Sequence, residues 1–580
     1  MPRYLLCSRS ANCPPDHPLV AQLRRRAETE LEIVSDLTPL TWLACGGPGR
    51  PQVTPVGGWR LIGDVFNRRR PNLGPSPVDA AHDYERKLMA RFWGRYVGVR
   101  FDADGRVAAL LRDPSGALDA LWWRQGPLTL IASELPDWLT DNARAGWRLD
   151  SARIEAALHD PCTLAGELLL TGPKALLPGA MQIFSDTAPV TLWRPDWIAR
   201  SAAPQGDDEA AAAVRDSVDE AVSGLLGQGE RLAAEISGGL DSGIVAAALA
   251  AAGADHVRLW LNAWGPDDTA DERPWAEALA THLGVSPTCV PRAVGRLTLD
   301  HLEAFARGAR PALSALDGLN DEDWARRFTA AGIEAVVTGK GGDSLFIQPA
   351  DMSVFADLRR TAGWRAFSSP ALVRLARWNE RSVWTLAKHA LWRDWRPDVP
   401  DAPNPLLAPR RSTVDLHPWL RTISDLGPAK RRQILGLVQG GTLHGPSFQT
   451  QVVSVHHPLL SQPVVETCLA LPVAQLTLGR RDRALAREAF RDRLPQALVE
   501  RRSKGEMTAF YGHLIADALD VLRPWLLDGR LAALGLIDRD AADAALSREA
   551  LAWRGGYVDI MTTAAIEAWV RAWAQRLPGA

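Results

Sequence analysis

The sequence predicts two halves of different architecture: a β-rich sandwich up to about residue 200, then a parallel α/β unit that runs into a mainly helical C-terminal part. The first observation is a change of period. Up to about residue 200, short strands alternate with Gly, Pro and Asp turns, as in 58–63, 96–101, 107–111 and 128–132. Beyond it, helices alternate with short buried strands at 257–261 and 333–338, with a helix expected over 271–283. The second and third observations are two glycine turns, 237–242 and 339–343, each directly after a predicted buried strand. The stretch 202–208, with Pro204 and Gly206, is the expected linker, and the domain reading is 1–203 and 204–580.

The first turn, Ser237-Gly238-Gly239-Leu240-Asp241-Ser242, lies between the apolar run 231–236 and the alanine-rich run 243–252. Strand, glycine turn and helix make an anion site. A helix start presents unpaired N–H groups and the positive end of a dipole, two glycines admit close approach to phosphate oxygens, and the Ser237 and Ser242 hydroxyls add donors. Asp241 would repel a phosphate unless a cation such as Mg²⁺ lies between them. The alternative is an ordinary turn with Asp241 capping the helix. The pattern is neither the P-loop nor the dinucleotide fingerprint; it resembles the SGGxDS loop of ATP pyrophosphatases, which cleave ATP between the α and β phosphates. The second turn, Gly339-Lys340-Gly341-Gly342-Asp343, is a weak signal by itself. In an open parallel sheet both turns fall at the carboxyl ends of strands, where ligands bind, so Asp241 and Asp343 can share one cation.

The balance of 66 basic and 68 acidic side chains gives no electrostatic reason for a nucleic-acid partner. Six cysteines (7, 13, 45, 162, 289, 468) form no C-x-x-C pair, which argues against a zinc site or a disulfide framework. No stretch reads as a signal peptide or a membrane span, so a soluble, cytoplasmic protein without a membrane partner is expected.

Together the turns resemble the synthetase domain of the class B asparagine synthetase superfamily, and the likeness extends over most of the chain. Residues 457–460, 468–472, 487–490, 494–495 and 501–505 repeat that family's C-terminal texture; 63–67, Arg112-Asp113, 132–134 and 177–179 resemble its glutaminase-type domain. The resemblance implies an N-terminal-nucleophile-type αββα sandwich followed by an ATP-pyrophosphatase α/β domain. Glutamine-using members begin Met-Cys, with that cysteine as nucleophile, whereas here Pro2 follows Met1. The sandwich is therefore expected to be an inactive scaffold and the amine to come from a source other than glutamine. Members without the cysteine include β-lactam synthetases and lasso peptide cyclases, which adenylate a carboxylate and let an amine of the same molecule displace AMP.

The resemblance assigns ATP binding to Ser237, Gly238, Gly239, Leu240, Asp241, Ser242, Gly339, Gly341 and Gly342, and Mg²⁺ to Asp241 and Asp343. Lys504 aligns with a lysine that stabilises transition-state charge in relatives; otherwise it reads as part of a solvated run with Arg501 and Arg502. Lys340 stands where asparagine synthetases have glutamate and β-lactam synthetases tyrosine, which argues against both exact chemistries. It is open to a role as base if neighbouring charge lowers its pKa, or to phosphate binding, the role favoured here. A peptide α-amine, with a reference pKa of about 7.7–8.0, is already roughly one-tenth neutral at pH 7. Trp364, Trp378, Trp384, Trp392 and Trp395, interleaved with arginines, read as a peptide-gripping surface or as helix cores. Asp271 and Glu272 read as support for the metal loop or as ordinary first-turn acids.

The expected function is an ATP-dependent, AMP-forming macrolactam synthetase of lasso peptide biosynthesis, with a precursor peptide and its leader peptidase as partners. The alternative is a β-lactam synthetase-like or ammonia-dependent amide synthetase with a small carboxylate substrate.

Overall fold

The computed structural model describes residues 1–70, 80–141, 146–265, 271–313, 317–392, 404–411, 417–502, 505, 507–554 and 556–577. Two six-stranded antiparallel sheets open the chain. The first is ordered Lys174–Ala175, Leu121–Gln125, Leu128–Ala132, Arg3–Arg9, Thr41–Gly46, Ile33–Thr38. The second runs Val190–Thr191, Ala180–Ile183, Val107–Arg112, Phe92–Phe101, Trp59–Asn67, Gln52–Val56. The alternation of side chains along a strand divides them between cores. Tyr4 and Leu6 meet Val97, Val99 and Leu110 between the sheets. Leu5 and Cys7 face outward, under the helix Pro18–Glu30 and the last helix, Tyr557–Arg576. On the far side, Tyr96 and Leu111 pack under Asp83–Arg91 and Asp207–Leu226. The layering is the αββα sandwich expected from the sequence.

The second half is built on a five-stranded parallel sheet in the order Pro287–Pro291, Val257–Trp264, Leu232–Glu235, Ala335–Val337, Ser454–His456. In chain order this is 3-2-1-4-5, so the direction of winding reverses between the strands Leu232–Glu235 and Ala335–Val337. Such a switch point leaves a crevice at the carboxyl ends of the two strands. Both strands carry mainly small apolar residues, because helices cover the sheet on each face: Leu240–Ala251 on one side, and Trp324 and Phe328 of Gly318–Ala330 on the other. A mainly helical part follows.

The expected boundaries shift by a few residues. The helix after the first turn starts at Leu240 rather than 243, with Gly239 as its N-cap, so Asp241 and Ser242 stand in its first turn. That placement suits an acid, which complements the helix dipole. The helix expected from residue 271 begins at Arg273. Residues 202–206 lie outside regular structure and Asp207 begins the next helix, while one hydrophobic core runs from Trp59 and Tyr96 through Val214 to Ala234 and Val337. Among the described residues no helix is long and apolar enough to cross a membrane.

Candidate nucleotide-binding site

The two glycine turns meet at the switch point, where a cavity of about 190 Å³ is lined by residues of both, among them Ser237, Gly239, Asp241, Ser242, Gly339, Lys340 and Asp343. The crossing is so tight that a Cβ on Gly339 would stand 2.4 Å from the Ser242 amide nitrogen. One on Gly342 would stand 2.5 Å from the carboxyl carbon of Asp241. Gly238 and Gly341 hold positive φ, +82° and +96°, a conformation that costs glycine little. Within the first turn the Ser237 and Ser242 hydroxyls bond to one another at 2.8 Å, and Ser237 Oγ also accepts from the Gly239 amide. The serines thus shape the loop in addition to lining the cavity.

Asp241 and Asp343, from different strand ends, are brought together by a residue the sequence reading did not single out. One guanidinium nitrogen of Arg483 donates to Asp241 Oδ2 at 2.9 Å and to Asp343 Oδ1 at 2.8 Å. Burial works against the charge of Arg483, and the carboxylates of Asp241, Asp343 and Asp482 outweigh it, raising its pKa. Two carboxylates converging on one positive nitrogen are a donor set suited to a divalent cation whose remaining positions come from phosphates and water, the usual mode for Mg²⁺. Among the described residues there is no cluster of three or more metal-ligating side chains, so any cation here relies on its substrate for further ligands. Asp241 and Asp343 are the residues that would hold it.

Arg501, read from sequence as part of a solvated run, is buried and braces the loop. It donates to the Gly238 carbonyl at 2.7 Å and to Glu272 at 2.6 Å, and lies 4.0 Å from the centre of the Trp275 ring. Arg502 beside it is exposed. Glu272 also accepts from the Gly505 amide at 2.9 Å and lines the cavity, whereas Asp271 is occupied by Arg273. Of the two acids weighed as supports, only Glu272 reaches the loop. Lys504 lies outside the described residues.

Lys340 is exposed at the cavity wall and makes no ion pair among the described residues. Across from it stands Glu235, the last residue of the central strand, whose carboxyl is pushed up by burial and drawn back by Lys340 and Arg292. An isolated glutamate at the end of an apolar strand is the only mark Glu235 leaves in sequence. Arg483 leaves none, and Arg501 none beyond its place in the stretch 501–505, since the site partners of both lie 140 or more residues away.

Four residues from the glutaminase-like motifs, Arg112, Ser133, Glu134 and Pro178, line a separate cavity of about 540 Å³ between the sandwich and the helical part. In the Trp-rich segment, Trp364 and Trp384 are 74% and 80% exposed, and Trp378 is partly buried beneath Arg481. The Trp392 side chain and Trp395 lie outside the described residues.

An open 3-2-1-4-5 parallel sheet, with two glycine turns and two aspartates at its switch point, defines an α/β protein with its ligand crevice at the carboxyl ends of the strands. The profile of the asparagine synthase family matches residues 213–571, and the chain belongs to that family. The family consists of ATP-dependent, AMP-forming amide ligases. No curated protein matches the chain.

Proposed function

We propose that this protein is a macrolactam synthetase: it adenylates an Asp or Glu side chain of a precursor peptide and closes an isopeptide bond with the peptide's N-terminal amine, giving a lasso peptide. ATP is cleaved to AMP and pyrophosphate. Loop N–H groups and Arg501 hold the triphosphate end, Asp241 and Asp343 hold Mg²⁺, and Lys504 and Lys340 serve the reacting and phosphate groups. Mg²⁺ supplies positive charge against the triphosphate. The precursor and its leader peptidase are the proposed partners and the cytoplasm the proposed compartment. The chain divides functionally after residue 203.

The observation that carries this reading is the state of the thiols in the glutaminase-like half. Cys7, in the first strand, is hydrogen-bonded into the sheet on both sides, and burial pushes its thiol up to about 12. Cys45 is likewise raised to about 12, and Cys162 also lies above its ordinary value, each chiefly through burial. A glutamine-cleaving cysteine needs the opposite shift, since the thiolate is the nucleophile. This favours an amine carried by the substrate that is activated.

The test is mass spectrometry of a candidate precursor peptide incubated with the protein, ATP, Mg²⁺ and its leader peptidase. Loss of one water, dependent on ATP and resistant to linearising conditions, is the expected result. A linear product carrying an amide from added ammonia would replace the reading with an ammonia-dependent synthetase, and ring closure of a small amino-carboxylate while the peptide stays unchanged would replace it with the β-lactam type.

A further inference from the structure

Glu235 is a half-buried acid without an assigned role. It ends the strand Leu232–Glu235, whose Ala234 pairs with Val337 of the neighbouring strand, so Glu235 sits beside the start of the second glycine turn. Its side chain lines the nucleotide cavity together with Lys340, Asp241 and Asp343. Among the described residues it makes no hydrogen bond and no ion pair. Lys340 and Arg292 act on it from beyond ion-pair distance, and Arg292 is already bound to Asp317 and, at 3.0 Å, to the Tyr511 hydroxyl. A carboxylate left without a donor inside the fold is costly unless something else supplies one.

We propose that Glu235 supplies the acceptor for the attacking primary amine and takes its proton during amide formation. The assignment rests on the adenylation reading given above. In that step the amine nitrogen bonds to the acyl carbon, and the bond from that carbon to the AMP oxygen breaks, with AMP leaving as its anion. The proton on nitrogen passes to the Glu235 carboxylate. Lys340, opposite, favours the charged form of that carboxylate against the effect of burial. This gives the chain a base from the central strand, at a different position from the residue that Lys340 replaces.

The experiment compares Glu235→Gln with the wild type in three assays: peptide-dependent ATP–pyrophosphate exchange, closure of the core peptide, and trapping of the acyl-adenylate by hydroxylamine, a nucleophile that attacks without a base. Exchange within about twofold of wild type, unchanged hydroxamate formation and closure slower by about 10²- to 10⁴-fold are expected. Glu235→Asp, which keeps a carboxylate, recovers part of the closure rate, and circular dichroism checks the fold of both. Unchanged closure in Glu235→Gln overturns the assignment. So does a parallel loss of exchange and closure, or a raised KM for ATP with coupling intact, because each places Glu235 on the nucleotide. Absence of exchange in the wild type removes the adenylation reading, and the assignment with it.

Discussion

Arg483 shows how one side chain organises a site that two others define. Its nitrogen draws Asp241 and Asp343 together, and its backbone is held at a φ of +46°, uncommon for a residue other than glycine. Asp343→Asn keeps the shape of the side chain and removes the charge that a cation needs. A fall of about 10²- to 10³-fold in kcat for AMP formation is expected, with the unfolding midpoint little changed, read by steady-state kinetics and urea denaturation. A second residue-scale effect concerns stability. Burial, reinforced by Arg421 and Arg310, lowers the His417 imidazole to about 4. In the unfolded chain the group titrates near 6.5, so between about pH 6.5 and 4 the unfolded state binds a proton that the folded state refuses. Stability therefore falls as pH drops through that window, by up to about 3 kcal/mol from this residue. His417→Asn, which keeps an acceptor for the Trp419 amide, is expected to make the decline shallower in denaturation series at pH 7 and 4.5. The two aspartates were legible in sequence because each follows a glycine turn. Arg483 and Arg501 were not, because a charge far along the chain reads as solvated until the fold brings its partner to it.

At the scale of elements, the site depends on two turns approaching closer than any side chain would allow. Gly342→Ala places a methyl group on the Asp241 carboxyl carbon, so the carboxylate must swing away from Asp343. Activity is expected to fall at least tenfold while the protein stays folded, with weakened nucleotide binding measured by calorimetry; full activity would mean that the two aspartates need not converge. The strands were readable as short apolar runs ended by glycine, and the sandwich as short strands set apart by Gly, Pro and Asp turns. The start of the helix at Leu240 was displaced by three residues, because periodicity registers the buried alanines more strongly than the turn that precedes them. The same limit applies to the Trp-rich segment. Its pattern leaned towards buried Trp cores, and the fold exposes Trp364 and Trp384 while partly burying Trp378.

For the whole molecule, the sandwich and the parallel sheet share a core and a buried ion pair. Arg68 reaches Glu466 at 2.7 Å with side-chain exposures of 4% and 1%, and the Trp193 indole donates to the same carboxylate at 2.9 Å. Removing Glu466 leaves the buried Arg68 with only Glu220, at 3.6 Å, and the Trp193 indole without its acceptor. Glu466→Ala is expected to cost about 3–5 kcal/mol in chemical denaturation and to loosen both halves in one transition; separate transitions would show that the halves are independent. The helices that cover the sandwich come from distant parts of the chain, including its last helix, which the local pattern of the first 200 residues did not disclose. The account as a whole rests on one reaction, cleavage of ATP between the α and β phosphates driven by a carboxylate substrate. Incubation with ATP labelled at the α phosphate, Mg²⁺ and the leader-free core peptide, followed by chromatography of the nucleotides, measures it directly. Labelled AMP formed only when the peptide is present, in step with ring closure, is the expected result, and labelled ADP would contradict the account.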